Sequence, residues 1–191
     1  MFSSIGSMEV GLQALTLDQF FEREETLIDL VDGWPVVSPA PAFSHQLVLS
    51  RLARLLDQCV AEPWCVVQSP LDWIVAAGEP PTVRQPDLAI VDPTTVGPSG
   101  RLTFAPLLVA EVVSPDSRER DVVTKRREYA TAGCPNYWIV DPALYAVSIL
   151  ELHNGRYMER VQFTRQQPRG VVETPVMMTF DLDKLLCVQC Q

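Results

Sequence analysis

The sequence predicts an α/β or α+β domain, a mixed β-sheet core flanked by helices, and three observations carry that prediction. Candidate elements run in the order helix, three strands, helix, strands, which suits a mixed sheet with helices packed on it. The strand-like runs are short, apolar and bounded by Gly/Pro-rich turns. A chain of 191 residues, 47% apolar and 20% charged, is long enough for one real core and ordinary in composition for a globular protein.

Taken in order, "MFSSIGSMEVGLQA" has no basic start and no long apolar block, so a secretory signal is not expected. Met8 offers an alternative start; residues 1–15 read as a flexible tail, and 16–191 as a single domain. "TLDQFFERE" opens with Thr16 and carries Gln19 three residues on, a capping-box pattern for a short helix. "TLIDLVDGWPVVSPAP" alternates apolar and polar residues around Asp32-Gly33, an N-terminal hairpin signal. "SHQLVLSRLARLLDQCV" sets Leu47, Leu49, Leu52, Leu55 and Leu56 apart from Arg51, Arg54 and Asp57, as an amphipathic helix does. "WCVVQSPLDWIVA", "QPDLAIVDP" and "LLVAEVVS" read as three successive strands. The next helix has Asp116 and Glu119 placed for a capping box, and Gly133 and Pro135 to stop it. "NYWIVDP", "AVSILEL", "RYMERVQFT" and "VVETPVMMTFDLDKLL" supply the C-terminal strands.

Charge and cysteine content narrow the function classes. A net charge of −9 counts against casual nucleic-acid binding, which rests largely on cationic groups. No apolar run reaches the length of a membrane span, so no membrane is expected as a partner. Five cysteines without framework spacing suit a reducing cytoplasm. Cys187 and Cys190 have the spacing of a zinc or redox pair, but no second pair accompanies them. There is no nucleotide-binding glycine loop.

The residues that invite chemistry are two carboxylates and a lysine. Asp87 and Glu111 each stand in an apolar strand-like run. If those strands are neighbours, facing residues lie roughly 5 Å apart. Two like charges there repel unless one protonates or a cation lies between them. Two carboxylates, a backbone carbonyl (that of Val112) and waters would suit Mg²⁺ or Mn²⁺. The bland alternative has each carboxylate emerging at a strand end into water. From Glu111 to Ser114 a strand runs roughly 10 Å, and from Asp116 to Lys125 a helix runs roughly 13 Å. A helix folded back on the sheet therefore brings Lys125 level with Glu111, bordering a stripe of Val122, Val123, Tyr129 and Ala130. Lys125 is one of two lysines in a chain with thirteen arginines. The competing account is an exposed i,i+4 pair with Asp121. Arg118, Arg120, Arg126 and Arg127 alternate with acids and read as a solvated helix face.

At these residues the sequence resembles the restriction-endonuclease-like PD-(D/E)XK nuclease superfamily and, more closely, the Uma-two family of endonucleases. The matching stretches are "LVDGWPVVSPAPAFSHQ", "RQPDLAIVDP", "EVVSPDSRERDVVTKRREYATAGCPNYWIVDP" and "GRY", from about Asp29 to Tyr157. The resemblance implies that Asp87 and Glu111 are metal-binding carboxylates and that Lys125, in the helix, replaces the lysine usual two residues after the acid, where Val113 stands. His45 matches a family histidine, at the rim of the site or merely capping its helix. Asp29 is a further candidate, standing where glutamate is more usual; Trp34 replaces an acidic residue. The implied activity is Mg²⁺- or Mn²⁺-dependent hydrolysis of duplex DNA. A homodimer is expected because strands such as "AVSILEL" and "RYMERVQFT" offer an edge to cover, by analogy with nucleases that cut duplexes as pairs. The alternative is a nuclease-fold binding or assembly module that does not cleave.

Overall fold

The computed structural model describes residues 14–23, 28–37, 39–115 and 117–187. The tail expected over 1–15 thus lies mostly outside them, as do Asp116 and Cys190. Helix α1 (Leu17–Phe21) begins as its capping box requires. The Thr16 hydroxyl accepts from the Gln19 N–H, and the Gln19 side chain accepts from the Thr16 N–H. Strands β1 (Ile28–Val31) and β2 (Trp34–Val37) make the hairpin about Asp32-Gly33. Both turn residues have positive φ, 48° and 80°, the backbone that Asp-Gly favours in tight hairpins. Gly33 is also approached closely: a Cβ there would lie 2.6 Å from that of Ala14.

Helix α2 (Phe43–Asp57) buries Val48, Leu49, Leu52, Ala53 and Leu56, the three-to-four spacing of an amphipathic helix. The run expected as one strand over "WCVVQSPLDWIVA" is two: β3 (Cys65–Gln68) and β4 (Trp73–Ala76) belong to different sheets. Pro70 lacks an N–H for any ladder, so pairing stops there and the chain changes sheet. β5 (Thr82–Arg84) is a further strand that the sequence did not separate from β6 (Leu88–Val91). Three residues are too few for alternation to show.

β7 (Leu108–Val112) is followed by a helical crossover to β8 (Asn136–Asp141), and the two strands pair in parallel. β9 (Ala146–His153), β10 (Arg156–Phe163), β11 (Arg169–Val172), β12 (Met178–Asp181) and α4 (Leu182–Leu186) complete the described chain. Among the described residues a six-stranded sheet runs β10-β9-β8-β7-β6-β3, beside a four-stranded sheet β2-β1-β5-β4 and the pair β11-β12. β10 is thus an edge, whereas β9 lies between neighbours.

Alternation along the strands separates two cores. Leu108, Ala110 and Val112 face α2, α4 and the β11-β12 pair, in a cluster with Leu52, Leu56, Trp138 and Phe180. Val109 and Val113 face the other way, into a cluster with Trp73, Tyr129 and Tyr137. Glu111 has the same parity as Val109 and Val113. It therefore points at the crossover helix, where an apolar residue would be the default.

The crossover departs from the regular α-helix expected after Ser114. Ser114 and Ser117 exchange hydrogen bonds from N–H to hydroxyl, at 3.0 and 3.2 Å, and so open the helical segment. Residues Arg120–Lys125 are π-helical, and α3 (Arg126–Thr131) continues from them. The wider turn shifts the buried face. Val123, expected on the apolar stripe, is 61% exposed, while Asp121 and Lys125 are buried.

Candidate functional site

β6 and β7 are antiparallel neighbours, with Leu88 opposite Ala110; continuing the register by one residue sets Asp87 opposite Glu111. Both acids have the parity of the crossover face. The Asp87 carboxylate accepts the Val112 N–H at 2.8 Å, a backbone donor that the β6 ladder has left behind. His45 Nε2, on the first turn of α2, lies 3.4 Å from the same Asp87 oxygen. The side chain makes no cap for its helix, so of the two roles open to His45 the geometry favours the site.

Lys125 arrives level with Glu111, as the rise arithmetic requires. Its Nζ stands 2.9 Å from Glu111 Oε1 and 3.3 Å from Asp121 Oδ1. The catalytic-looking contact and the i,i+4 pair therefore coexist, and neither is exposed. Tyr129, one turn on, donates its hydroxyl to the same Glu111 oxygen at 2.8 Å. Tyr137 donates to the Asp121 carbonyl at 2.8 Å and steadies the π-helical turn from beneath.

Burial sets the electrostatics. Glu111 is 2% exposed, and desolvation pushes its carboxyl up to about 8 even though Lys125 opposes the shift. For Lys125 burial alone would lower the pKa, but Glu111 and Asp121, with Asp29 and Asp87 beyond, hold it above the usual lysine range. His45 behaves alike: burial opposes its charge, and Asp87 outweighs burial and raises it.

Asp29, Asp87, Glu111, Val112, Lys125 and His45 all line one cavity of about 530 Å³. Asp29 is held differently from the others. Its oxygens accept from Arg84 Nη1 at 3.0 Å and from the Gln85 N–H at 2.9 Å. Arg84 also grips Glu128 of α3 through Nε and Nη2, each at 2.8 Å. One buried arginine on β5 thus ties the hairpin strand β1 to the helix that carries Lys125. Sequence reasoning missed Arg84. No pattern in the sequence marked it, because β5 is only three residues long.

Whether these residues suit a divalent cation can be judged from the donors. With Asp29 neutralised by Arg84, three carboxylates (Asp87, Glu111 and Asp121) face the cavity. Asp121 Oδ1 is buried and has no hydrogen bond, although Lys125 is near. Among the described residues no three His, Cys, Asp or Glu side chains are already gathered as a ligand set. Two carboxylates completed by a backbone carbonyl and water nonetheless fit Mg²⁺, which keeps much of its hydration.

This fold, a mixed sheet with acids at the ends of adjacent strands and a crossover helix above them, is that of restriction-endonuclease-like nucleases. A crystal structure described as "a putative nuclease belonging to DUF820", from Anabaena variabilis ATCC 29413, is similar with a TM-score of 0.72. The match covers 91% of this chain and 98% of that one at 18% sequence identity. The chain belongs to the Uma2 family, described as "Putative restriction endonuclease", which it matches over residues 13–182. No curated protein matches it. No helix among the described residues is long and apolar enough to cross a membrane.

Proposed function

We propose that this protein is a metal-dependent endonuclease that hydrolyses DNA phosphodiester bonds. The observation that carries the reading is the meeting, at one cavity wall, of Asp87 and Glu111 from adjacent strands with Lys125, whose Nζ is 2.9 Å from Glu111. Asp87, Glu111 and the Val112 carbonyl would hold Mg²⁺ or Mn²⁺; within one strand residue the C=O points to the same neighbour as the N–H, here toward Asp87. An ion held there would supply Lewis-acid polarisation of the phosphate and a more acidic water. Lys125, held charged by its carboxylates, is the donor placed to orient that water or to steady charge on the phosphate oxygens. His45 keeps Asp87 oriented, and the Arg84 clamp fixes the helix over the sheet.

Further features support a cytoplasmic homodimer acting on duplex DNA. Among the described residues Cys59, Cys65 and Cys134 are free thiols, as in a reducing compartment. The eight-residue edge strand β10 is a surface that a second copy could cover, and pairing would suit two-strand cleavage.

One observation favours a non-cleaving binding module instead, the net charge of −9. A single experiment separates the readings: Mn²⁺ titration of the parent and of Asp87→Ala, followed by melting temperature and by cleavage of supercoiled plasmid. For the nuclease, Mn²⁺ raises the parent's melting temperature by mass action and nicks the plasmid, and Asp87→Ala loses both responses. A metal-dependent melting shift without any cleavage supports the binding module. The same shift in parent and mutant removes Asp87 from the site.

A further inference from the structure

Among the described residues four buried side-chain atoms lack a hydrogen-bond partner: Arg101 Nε, Arg120 Nε, Asp121 Oδ1 and Trp138 Nε1. Two of the four belong to successive residues in the wall of the candidate site. Arg120 Nε lies 4.0 Å from Asp121 Oδ1, beyond hydrogen-bond range. Arg120 Nε is thus a buried donor without a hydrogen bond, whereas Asp121 Oδ1 still has the Lys125 ammonium 3.3 Å away.

The other arginines of this segment are accounted for, which corrects the expectation of a uniformly solvated basic face. Arg118 donates to Asp141. Arg126 donates to the Tyr157 carbonyl at 3.0 Å. Arg127 is exposed. Arg120 alone of the four lines the cavity with Asp87, Glu111 and Lys125, because the π-helical turn carries residues 120, 121 and 125 to that side.

Buried donors without partners are rare in native proteins and ask for an explanation. Nε itself is sealed in, but the Arg120 side chain is 28% exposed and its two outer guanidinium nitrogens are open to an acceptor brought by a ligand in the cavity. A guanidinium fork suits a planar or tetrahedral oxyanion. That anion must also tolerate the nearby carboxylates, so it needs oxygens to share with a cation at Asp87 and Glu111. A phosphodiester, with two non-bridging oxygens, meets both conditions.

We propose that Arg120 forms a phosphate subsite of the cavity, holding a backbone phosphate of the DNA strand while Asp121 holds Lys125 in place. The subsite rests on the nuclease reading and adds a residue which that reading does not use.

The test is fluorescence anisotropy of a labelled DNA strand and of its duplex, with Ca²⁺ in place of Mg²⁺. Arg120→Gln is expected to weaken binding roughly tenfold and to reduce the slope of log Kd against log salt by about one. Its melting temperature falls only slightly, since the free protein has no hydrogen bond there to lose and only the 4.0 Å ion pair with Asp121 is removed. Arg120→Lys keeps the slope while losing part of the affinity. Arg127→Gln, on the solvent face, changes neither quantity. Parent-like affinity and slope in Arg120→Gln, or an equal loss in Arg127→Gln, overturns the subsite and leaves the nuclease reading standing. A parent protein that binds neither DNA overturns both.

Discussion

Lys125 sits between two carboxylates in a place where water cannot stabilise any of them. A buried ion pair adds little net stability over an apolar replacement, but removing one partner alone is costly, because the other charge is left without compensation. At a pH above about 8, where Glu111 is ionised, Lys125→Met is therefore expected to destabilise the metal-free protein by about 3 kcal/mol, although its apolar stem is kept. Adding Glu111→Gln to that variant should recover part of the loss. Urea unfolding of the two single variants and the double closes the cycle, and a purely additive result would deny the coupling. With Mg²⁺ present, cleavage by Lys125→Met should fall by about two orders of magnitude or more.

At the scale of elements, the structure works through clamps between strands and helices. Arg84 is 1% exposed and holds β1 and α3 at once, so Arg84→Met leaves Asp29 and Glu128 facing each other unpaired. A loss of about 3 kcal/mol is expected in the same urea assay. α4 depends on its cap: Asp181 accepts from the Asp183 and Lys184 N–H groups, and Leu182, Leu185 and Leu186 then pack into the core. Burial opposes the Asp181 charge, but the Lys184 N–H and Arg169 outweigh it and lower the pKa. A depressed folded pKa gives stability that is present above the unfolded value, near 3.8, and is lost as pH falls through the folded one. Asp181→Ala should accordingly cost about 1 kcal/mol at neutral pH, and progressively less below about pH 4. Much at this scale was legible in the chain. The Thr16 capping box, the Asp32-Gly33 hairpin and the α2 stripe are local patterns. The meeting of Lys125 with Glu111 followed from counting strand and helix rise. The π-helical turn was not legible, because Val122 and Val123 fit an α-helical stripe equally well and Tyr137, whose hydroxyl bonds the Asp121 carbonyl, is brought there by a tertiary contact. Arg84 escaped for a related reason: its partners are brought by tertiary contacts, and β5 is too short to announce itself; Asp121 was legible as the i,i+4 partner of Lys125, but its burial was not.

For the whole molecule, the −9 charge is a statement about how a polyanion is met. With few cations free of acidic neighbours, duplex binding without a divalent ion should be weak. Its logarithmic salt dependence should have a slope no steeper than about −3, against roughly −5 to −9 for proteins making 6–10 phosphate contacts. Anisotropy across a salt series measures it, and a steep slope would instead reveal an extended basic surface in contact with the duplex. Multi-angle light scattering should return twice the chain mass if β10 pairs with a second copy; a monomer across a wide concentration range would end the dimer reading. The aromatic packing beneath the site has an optical consequence. Trp73 is 1% exposed, and its ring centroid lies 5.0 Å from that of Tyr129, the residue bonded to Glu111. Trp34 and Trp64 lie nearer the surface, within reach of a soluble quencher such as iodide. With their emission suppressed, the remaining blue-shifted fluorescence comes from Trp138 in the opposite core and from Trp73, two residues from the carboxylate by contact. The protein thus carries an intrinsic lamp beside its candidate site, and the arrival of a cation at Glu111 should be visible in its light without any label.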